Sequence, residues 1–377
     1  MLCLEWQQRI SYINIKDIGG INVWFESEEY SVPFFGGRAC PVPEINLCFG
    51  IGKVKLYTYE ELRVATGDFK RGNRIGEGGF GSVYKGTLRN GTIVAIKVLS
   101  KESAQGVREF LTEITAISDI IHENLVQLYG FCMQGNHRIL VYSYLENNSI
   151  AQTLLGRNRS NIQFSWATRS KICIGVARGL AFLHEEHQPH IVHRDIKASN
   201  VLLDKNLTPK ISDFGFARLL PSNATHISTG VAGTLGYLAP EYAIRGQVTR
   251  KSDVYSYGVL LLEIVSGRCN ANTGFSYGER FLLERYPDAM DGILVLQTWA
   301  HYERGTIERM IDSSLAGDVN TKEACKFLKV GLLCTQDACK LRPSMSLVVK
   351  MLTGGINVES ENITQPGLVT DFMQMKI

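Results

Sequence analysis

The stretch HRDIKASN at residues 193–200 constrains this chain more than any other. It sets a histidine, an arginine, an aspartate, a lysine and an asparagine between PHIV and VLLD, two runs that read as core strands. Polar groups buried without partners are costly, so a fold that brackets these must pair them or use them. A surface turn between strands is the plain reading, and a loop that performs chemistry is the sharper one. The rest of the chain has to choose.

Hydrophobic periodicity divides the sequence into parts. Residues 1–56 read as an irregular extension, because FFGGRACPVPEINLCFGIG mixes glycine, proline and apolar residues without a repeat. Such a segment is expected to be poorly ordered or loosely docked. YTYEELRVATGDF predicts a lead-in helix over 57–69. GNRIGEGGFGSVYKGTL and the β-branched IVAIKVL read as strands. VREFLTEITAISDII then places Phe110, Ile114, Ile117 and Ile121 on one helical stripe. LVQLYGFC and RILVYSYL read as two further strands.

After residue 145 helix prevails. Cys173, Val176, Leu180 and Leu183 form one stripe, and DVYSYGVLLLEIVSG at 253–267 is apolar nearly all round, as a buried helix is. EACKFLKVGLLCTQD and SLVVKMLTG add more helix, and 355–377 reads as a polar, frayed tail. The expected fold class is α+β and bilobal. A small β-rich lobe with one long helix spans 70–144, and a larger, mainly helical lobe spans 145–354, with ligands expected in a cleft between lobes.

Bulk properties exclude several classes. The formal net charge of +3 gives no reason to expect nucleic acid as a partner. No apolar run approaches the roughly 18 residues of a transmembrane segment. The start, MLCLEWQQRI, lacks the order of a signal peptide, and Leu2 excludes N-myristoylation. The 9 cysteines are odd in number, scattered and free of any CxxC pair, which suits free thiols in a reducing compartment. The expected location is therefore cytoplasmic, and the sequon NAT at 223–225 carries no consequence.

The motifs share a theme of phosphate chemistry. GEGGFGSV at 76–83 fits G-x-G-x-x-G-x-V. SVYKG after it reads as strand, so the glycines cap a hairpin and do not open a helix, which argues against a dinucleotide-binding enzyme. Gly76, Gly78 and Gly81 let backbone N–H groups approach phosphate oxygens. Lys97 in VAIK needs an anion if buried, and Glu113 on the next helix can supply it. In HRDIKASN, Asp195 can accept a hydroxyl proton, Lys197 can neutralise a transferring phosphoryl group, and Asn200 can bind a metal. Asp213 in DFG offers hard carboxylate oxygens suited to Mg²⁺. APE stands at 239–241, and Ser222, Thr225, Ser228, Thr229 and Thr234 lie between the two motifs in a segment open to phosphorylation.

Together these residues resemble the protein-kinase motif set, with Ile196 as the sole substitution in the catalytic loop. REFLTEI, HENLVQLYGFC, NHRILVYSYLENNSI, GTLGYLAPEY and LRPSM resemble the plant receptor-like kinases. The want of a membrane span points to their cytoplasmic subgroup, nearest to the cold-responsive type. The resemblance covers roughly 57–373. It implies a Ser/Thr protein kinase using ATP and Mg²⁺, with Mn²⁺ as an alternative, acting on protein substrates in stress or defence signalling. An upstream receptor kinase and peripheral attachment at the plasma membrane are further implications. A pseudokinase scaffold is the alternative, and the intact Lys97, Asp195, Asn200 and Asp213 argue against it.

The resemblance also implies roles for single residues. Ile75, Gly76, Glu77, Gly78, Gly79, Phe80, Gly81, Ser82, Val83, Ala95, Lys97 and Leu202 would surround ATP, with Tyr142 as gatekeeper and the backbone of Ser143 and Leu145 holding adenine. Glu241 would pair with Arg342, and Asp253 would brace the catalytic-loop backbone. Ile117, Leu128, His193 and Phe214 would stack as a spine. Arg194 would pair with a phosphate on the activation segment between DFG and APE, Thr229 being the preferred acceptor. Gly230 departs from the basic residue common in relatives, and residues 1–52 match nothing in the family. YPDAMDGILVLQ at 286–297 looks inserted between LLER and TWAHYERG, as a surface loop or as a gene-model error.

Overall fold

The computed structural model describes residues 54–78, 81–99, 104–156, 162–221, 224–270 and 293–367. Residues 1–53 and the glycine-loop tip at 79–80 lie outside them. The chain separates into two compact units, one holding the described residues to Ile120 together with Gln127–Tyr144, the other Ile121–Val126 and Leu145 onward.

The first unit is a 6-stranded sheet. Its strands are β1 (Lys55–Leu56), β2 (Arg74–Gly78), β3 (Gly81–Thr87), β4 (Ile93–Leu99), β5 (Leu128–Gln134) and β6 (His137–Ser143), in the order β1-β5-β6-β4-β3-β2. Helices α1 (Tyr59–Ala65) and α2 (Ala104–Ile117) complete it. Strand periodicity gives the sheet two faces with different duties. Val94 and Ile96 of β4 join Ile139, Val141, Cys132, Tyr57 and Leu62 in one buried cluster. The alternate residues, Ala95 and Lys97, are paired with Tyr142 and Leu140 on β6, and Val83 pairs with Lys97. The residues expected near the nucleotide thus share a face, because the apolar alternation commits the other face to the core.

That core is closed by the segment preceding β2. Thr58 caps α1 through a capping box with Glu61, the Glu61 N–H donating to Thr58 Oγ1 at 3.1 Å and the Thr58 N–H donating to Glu61 Oε2 at 2.8 Å. Leu62 is thereby delivered to the cluster, fully buried. The lead-in helix is shorter than the predicted 57–69, and Lys55–Leu56, expected to be irregular, form a strand parallel to β5. The approach is close at Gly130, where any Cβ would lie 2.0 Å from the Lys55 carbonyl oxygen.

On α2 the predicted stripe holds for Phe110, Ile114 and Ile117, which are all buried, but Ile121 is 72% exposed. The helix ends at Ile117, and a turn in which the Ile120 N–H donates to the Ile117 carbonyl carries Ile121 out of the helical period.

The second unit is mainly helical. Short strands β7 (His190–Val192), β8 (Val201–Leu203), β9 (Pro209–Ile211), β10 (Arg218–Leu220), β11 (Ile227–Ser228) and β12 (Gln247–Val248) pair as β7 with β10, β8 with β9, and β11 with β12. The helices are α3 (Ile150–Thr153), α4 (Trp166–Ala181), α5 (Pro240–Arg245), α6 (Arg250–Ser266), α7 (Leu294–Glu303), α8 (Thr321–Thr335) and α9 (Met345–Leu352). From Ser252 to Ser266 every residue of α6 is buried, as its all-round apolar sequence requires. Cys173, Val176, Leu180 and Leu183 are fully buried as predicted.

The tail is not frayed up to Gly367. Val358 and Ile363 are buried, the Gly367 N–H donates to Thr335 O at 3.1 Å, and Tyr255 Oη donates to Gly367 O at 2.8 Å. Backbone bonds to Thr335 and Asp337 hold a segment whose polar composition gave no sign of docking.

Only part of the inserted stretch 286–297 falls among described residues. Its end, Leu294–Gln297, forms the first turn of α7 and buries Leu294 and Val295, so the insertion does not stop at a surface loop. Register explains how the helix tolerates the extra residues. Deleting 286–297 would join Arg285 to Thr298 and bring Leu282 and Leu283 to the positions of Leu294 and Val295. Apolar side chains would again fill both buried sites. The deletion variant should therefore fold with a stability change under about 1.5 kcal/mol and keep its turnover. Melting temperature and steady-state assay check this, and loss of soluble expression would show that the native first turn is irreplaceable.

Candidate active site

In the first unit, β2 and β3 form the predicted hairpin, with Gly78 opposite Gly81 and Glu77 opposite Ser82. Gly81 has φ +130°, and a Cβ there would stand 2.0 Å from the Val98 carbonyl, so glycine is obligatory. Gly79 and Phe80 lie outside the described residues. Lys97 donates from Nζ to Glu113 Oε2 at 3.0 Å and Oε1 at 3.4 Å. Glu113 is 1% exposed, which means its charge is matched by a lysine presented from the sheet. Tyr142 is buried, and the Ser143 N–H donates to the Gln127 carbonyl at 3.0 Å. Ile75 is 39% exposed at the start of the hairpin.

In the second unit the catalytic-loop residues converge on one carboxylate. Thr234 Oγ1 donates to Asp195 Oδ1 at 2.8 Å. Lys197 Nζ lies 2.8 Å from Asp195 Oδ2 and donates to Thr234 Oγ1 at 2.7 Å. Asn200 Nδ2 donates to both the backbone oxygen and Oδ2 of Asp195, each at 2.9 Å. A carboxylate held from three sides is preorganised, and its direction is fixed before a substrate arrives. The amide of Asn200 is thereby oriented, with its Nδ2 on Asp195 and its Oδ1, which accepts from Ser199 Oγ at 3.5 Å, on the opposite side where it could also reach a cation. Strands β8 and β9 pair Val201 with Ile211, and the Ser212 N–H donates to Asn200 O at 2.9 Å. This hairpin brings Asp213, one residue further on, next to the Asn200 end of the loop. Asp213 has φ 67°, an uncommon backbone state for a non-glycine residue. An amide oxygen and a carboxylate suit a hard cation that takes its other ligands from phosphate and water.

The loop backbone is braced from α6. Asp253, fully buried, accepts the His193 N–H at 2.7 Å and the Arg194 N–H at 2.8 Å, and bonds His184 Nε2 at 2.9 Å. Burial alone would raise its pKa, but the hydrogen bond and charge of His184, the charge of His193 and the His193 N–H outweigh this and lower it. His193 and Phe214 meet edge to face with ring centroids 4.7 Å apart, while Ile117 and Leu128 are buried in the first unit. Leu202 is half-buried on β8 and Leu145 opens the second unit. Arg342 and Glu241 form a two-pronged pair at 2.8 and 2.9 Å. All three guanidinium nitrogens of Arg194 donate to neutral protein oxygens, Tyr242 Oη, Phe216 O and Gly230 O.

A second cluster escaped the sequence reading. Tyr237 Oη donates to Glu263 Oε2 at 2.6 Å, the Asn270 N–H donates to Glu263 Oε1 at 2.8 Å, and Asn270 Nδ2 donates to Gly236 O at 2.8 Å. This network fastens the GTLGY segment, and with it Thr234, to α6. Its signal was present as a single carboxylate inside the apolar run SYGVLLLEIVSG.

Burial raises the Glu263 pKa from an ordinary 4.5 to about 7, against the opposing bonds from Tyr237 and Asn270. Below pH 4.5 the carboxyl is protonated whether folded or not. Between 4.5 and 7 the folded chain keeps a proton that the unfolded chain has lost, so stability falls as pH rises. Above 7 both are ionised and a penalty of roughly 3 kcal/mol persists. Glu263→Gln, neutral throughout, should lose less stability than the native protein between pH 5 and pH 8. Any cost of its missing acceptor is the same at both pH values. Denaturant melts at the two pH values check this, and parallel losses would mean that Glu263 titrates normally.

Comparison with known proteins bears on the whole arrangement. The Protein kinase domain family matches residues 69–348. Cold-responsive protein kinase 1 of Arabidopsis thaliana is 61% identical over 329 residues, covering 87% of this chain and 81% of that protein. A probable LRR receptor-like serine/threonine-protein kinase of the same plant is 49% identical over 85% of this chain, which spans only 30% of that longer protein. Another of that class is 51% identical over 80% of the chain and 28% of the relative.

Proposed function

The chain belongs to the protein kinase family as a serine/threonine protein kinase, and from that premise we propose how its own residues divide the work. The family uses ATP and a divalent cation. Asp195 takes the proton of the substrate hydroxyl as that oxygen attacks the γ-phosphorus in line with the departing ADP oxygen. Thr234 and Asn200 hold Asp195 in direction, and Lys197 faces the charge that develops on the transferring group. Lys97, steadied by Glu113, orients the phosphates, and the backbone of Gly76, Gly78 and Gly81 is open to them. By the family likeness, Ile75, Val83, Ala95, Tyr142 and the Ser143 backbone of the first unit are assigned to adenine, as are Leu202 and the Leu145 backbone of the second. Asn200 and Asp213 would hold the cation, which would neutralise phosphate charge, and Mg²⁺ would suit them because two protein oxygens leave room for phosphate and water.

The single observation that carries this assignment is the Asp195 carboxylate, with Thr234 at 2.8 Å on one oxygen and Lys197 at 2.8 Å on the other. Among the described residues no helix is long and apolar enough to cross a membrane. Cys132, Cys173 and Cys334 are free and buried. Free thiols support a cytoplasmic setting, and the identity to Cold-responsive protein kinase 1 supports a place in stress signalling. The test is transfer of labelled γ-phosphate to protein substrates in Mg²⁺ and in Mn²⁺, followed by phosphoamino-acid analysis. Label on serine and threonine, greatest with Mg²⁺ and absent in Lys97→Met, is the expected result. Undiminished transfer by Lys97→Met would overturn the assignment of that residue.

A further inference from the structure

The family match ends at residue 348, but the chain beyond it stays packed, with Val358, Ile363, Pro366 and Gly367 buried. A buried glutamine receives this tail at the end of α8. Gln336 is 1% exposed, and its Oε1 accepts both the Thr364 N–H at 3.0 Å and Thr364 Oγ1 at 2.8 Å. Its Nε2 donates to Leu333 O at 3.0 Å and to Leu341 O at 3.1 Å. Without the tail, Oε1 would be a buried acceptor with no donor, so the glutamine commits residues 363–367 to this seat. On either side the Asp337 N–H donates to Gln365 O and the Gly367 N–H to Thr335 O, each at 3.1 Å, around an antiparallel bridge between Gln336 and Pro366.

The far end of this strap reaches α6. Tyr255 Oη donates to Gly367 O at 2.8 Å, and the Arg342 guanidinium lies 5.0 Å from the Tyr255 ring centroid. Tyr255 stands between two residues that hold the candidate active site. Two positions before it, Asp253 accepts the N–H groups of His193 and Arg194. One position after it, Ser256 Oγ donates to Tyr237 O at 2.7 Å, in the GTLGY segment that carries Thr234. Gly367 is fitted closely, since a Cβ there would stand 2.9 Å from Asp337 Cα and 3.0 Å from Pro240 Cγ at the start of α5.

We propose that Tyr255 is a positioning residue, whose hydroxyl seats the strap 363–367 on α6 and so fixes the turn of α6 that holds the catalytic loop and the GTLGY segment. Asp195 receives its direction from both of those segments, so a loosened α6 turn slows transfer without touching the nucleotide. The proposal rests on the kinase reading above for its activity arm, and on hydrogen exchange for an arm that needs no activity.

The experiment uses the full chain. Tyr255→Phe removes the hydroxyl and keeps the ring beside Arg342. Gly367→Ala lifts the strap from the other side, by pressing on Asp337 and Pro240. Single-turnover rate constants, which do not depend on the folded fraction, should fall about 3- to 10-fold in each, on the scale of one neutral hydrogen bond, with KM for ATP unchanged. The amides of His193 and Arg194 should exchange faster by a similar factor. Glu359→Gln breaks the ion pair to Lys329 at the exposed start of the tail and should keep the native rate constant and exchange. A native rate constant in Tyr255→Phe would overturn the proposal, as would slowing with unchanged exchange at 193–194, or equal slowing in Glu359→Gln. A lower melting temperature with a native rate constant would make the strap a purely structural clasp, which also overturns it. If Gly367→Ala does not fold, Tyr255→Phe decides alone. Failure of the native chain to transfer phosphate would sink the kinase reading, and the exchange arm would still decide whether the strap holds the loop.

Discussion

Asp195→Asn should lower kcat by about 10²–10⁴-fold, the usual contribution of a positioned general base, while KM for ATP changes little. The substitution keeps size and shape. Thr234 Oγ1 at 2.8 Å from Oδ1 still has an oxygen or an amide nitrogen beside it, and Asn200 can still reach the backbone oxygen at 2.9 Å. What disappears is the negative charge that balances Lys197 at 2.8 Å and that, in the proposed mechanism, takes the proton of the attacking hydroxyl. Both interactions strengthen as the phosphoryl group transfers, so their loss falls on the transition state. Single-turnover assays with saturating ATP isolate this step. A variant with native kcat and a raised KM for ATP would make Asp195 a binding residue, and the proposed division of labour would fail.

The site was legible to the extent that its chemistry is local in sequence. HRDIKASN, DFG and VAIK each carry their side chains on a short stretch, and the pairing of Lys97 with Glu113 follows from one strand and the next helix. The fold class was legible for the same reason, since strand alternation and helical stripes are periodic signals. What escaped were contacts that join distant segments. Nothing in the spacing of Tyr237, Glu263 and Asn270 says that they meet, and only the cost of a lone carboxylate in a buried helix hints at a partner. The neutral partners of Arg194 are hidden more deeply. Backbone carbonyls belong to every residue, so an arginine read from sequence is matched to phosphates or acids and never to Phe216 O or Gly230 O. Register defeated the reading at both ends of helices as well. Ile121 continues the stripe in sequence but lies past the end of α2, and Leu294–Gln297 looked foreign while supplying apolar side chains at the two positions α7 must bury.

Arg342→Ala should destabilise the second unit by about 3–5 kcal/mol. Arg342 is 1% exposed and uses its whole fork, with two bonds to the Glu241 carboxylate, Nε to Gln336 O at 2.7 Å, and weaker bonds to Lys251 O and Asp337 O at 3.2 Å. The guanidinium also lies 5.0 Å from the Tyr255 ring centroid. Truncation leaves Glu241 without its counter-charge and several carbonyls without donors, and it opens a cavity beneath Tyr255. The Glu241 side chain keeps 18% exposure, so water relieves part of the stranded charge and the loss should fall toward the lower end of the range. In a unit of this size the melting temperature should drop by on the order of 10 °C. Replacing both partners, as Glu241→Leu with Arg342→Met, should recover part of the loss, because two apolar groups leave no charge stranded even though the carbonyls stay unpaired. Calorimetry on the native chain and on the single and double variants checks this. A single variant that melts with the native chain would mean that solvent already screens the pair. A double variant no better than the single would mean that the carbonyl bonds and the Tyr255 contact, and not the Glu241 charge, carry the stability.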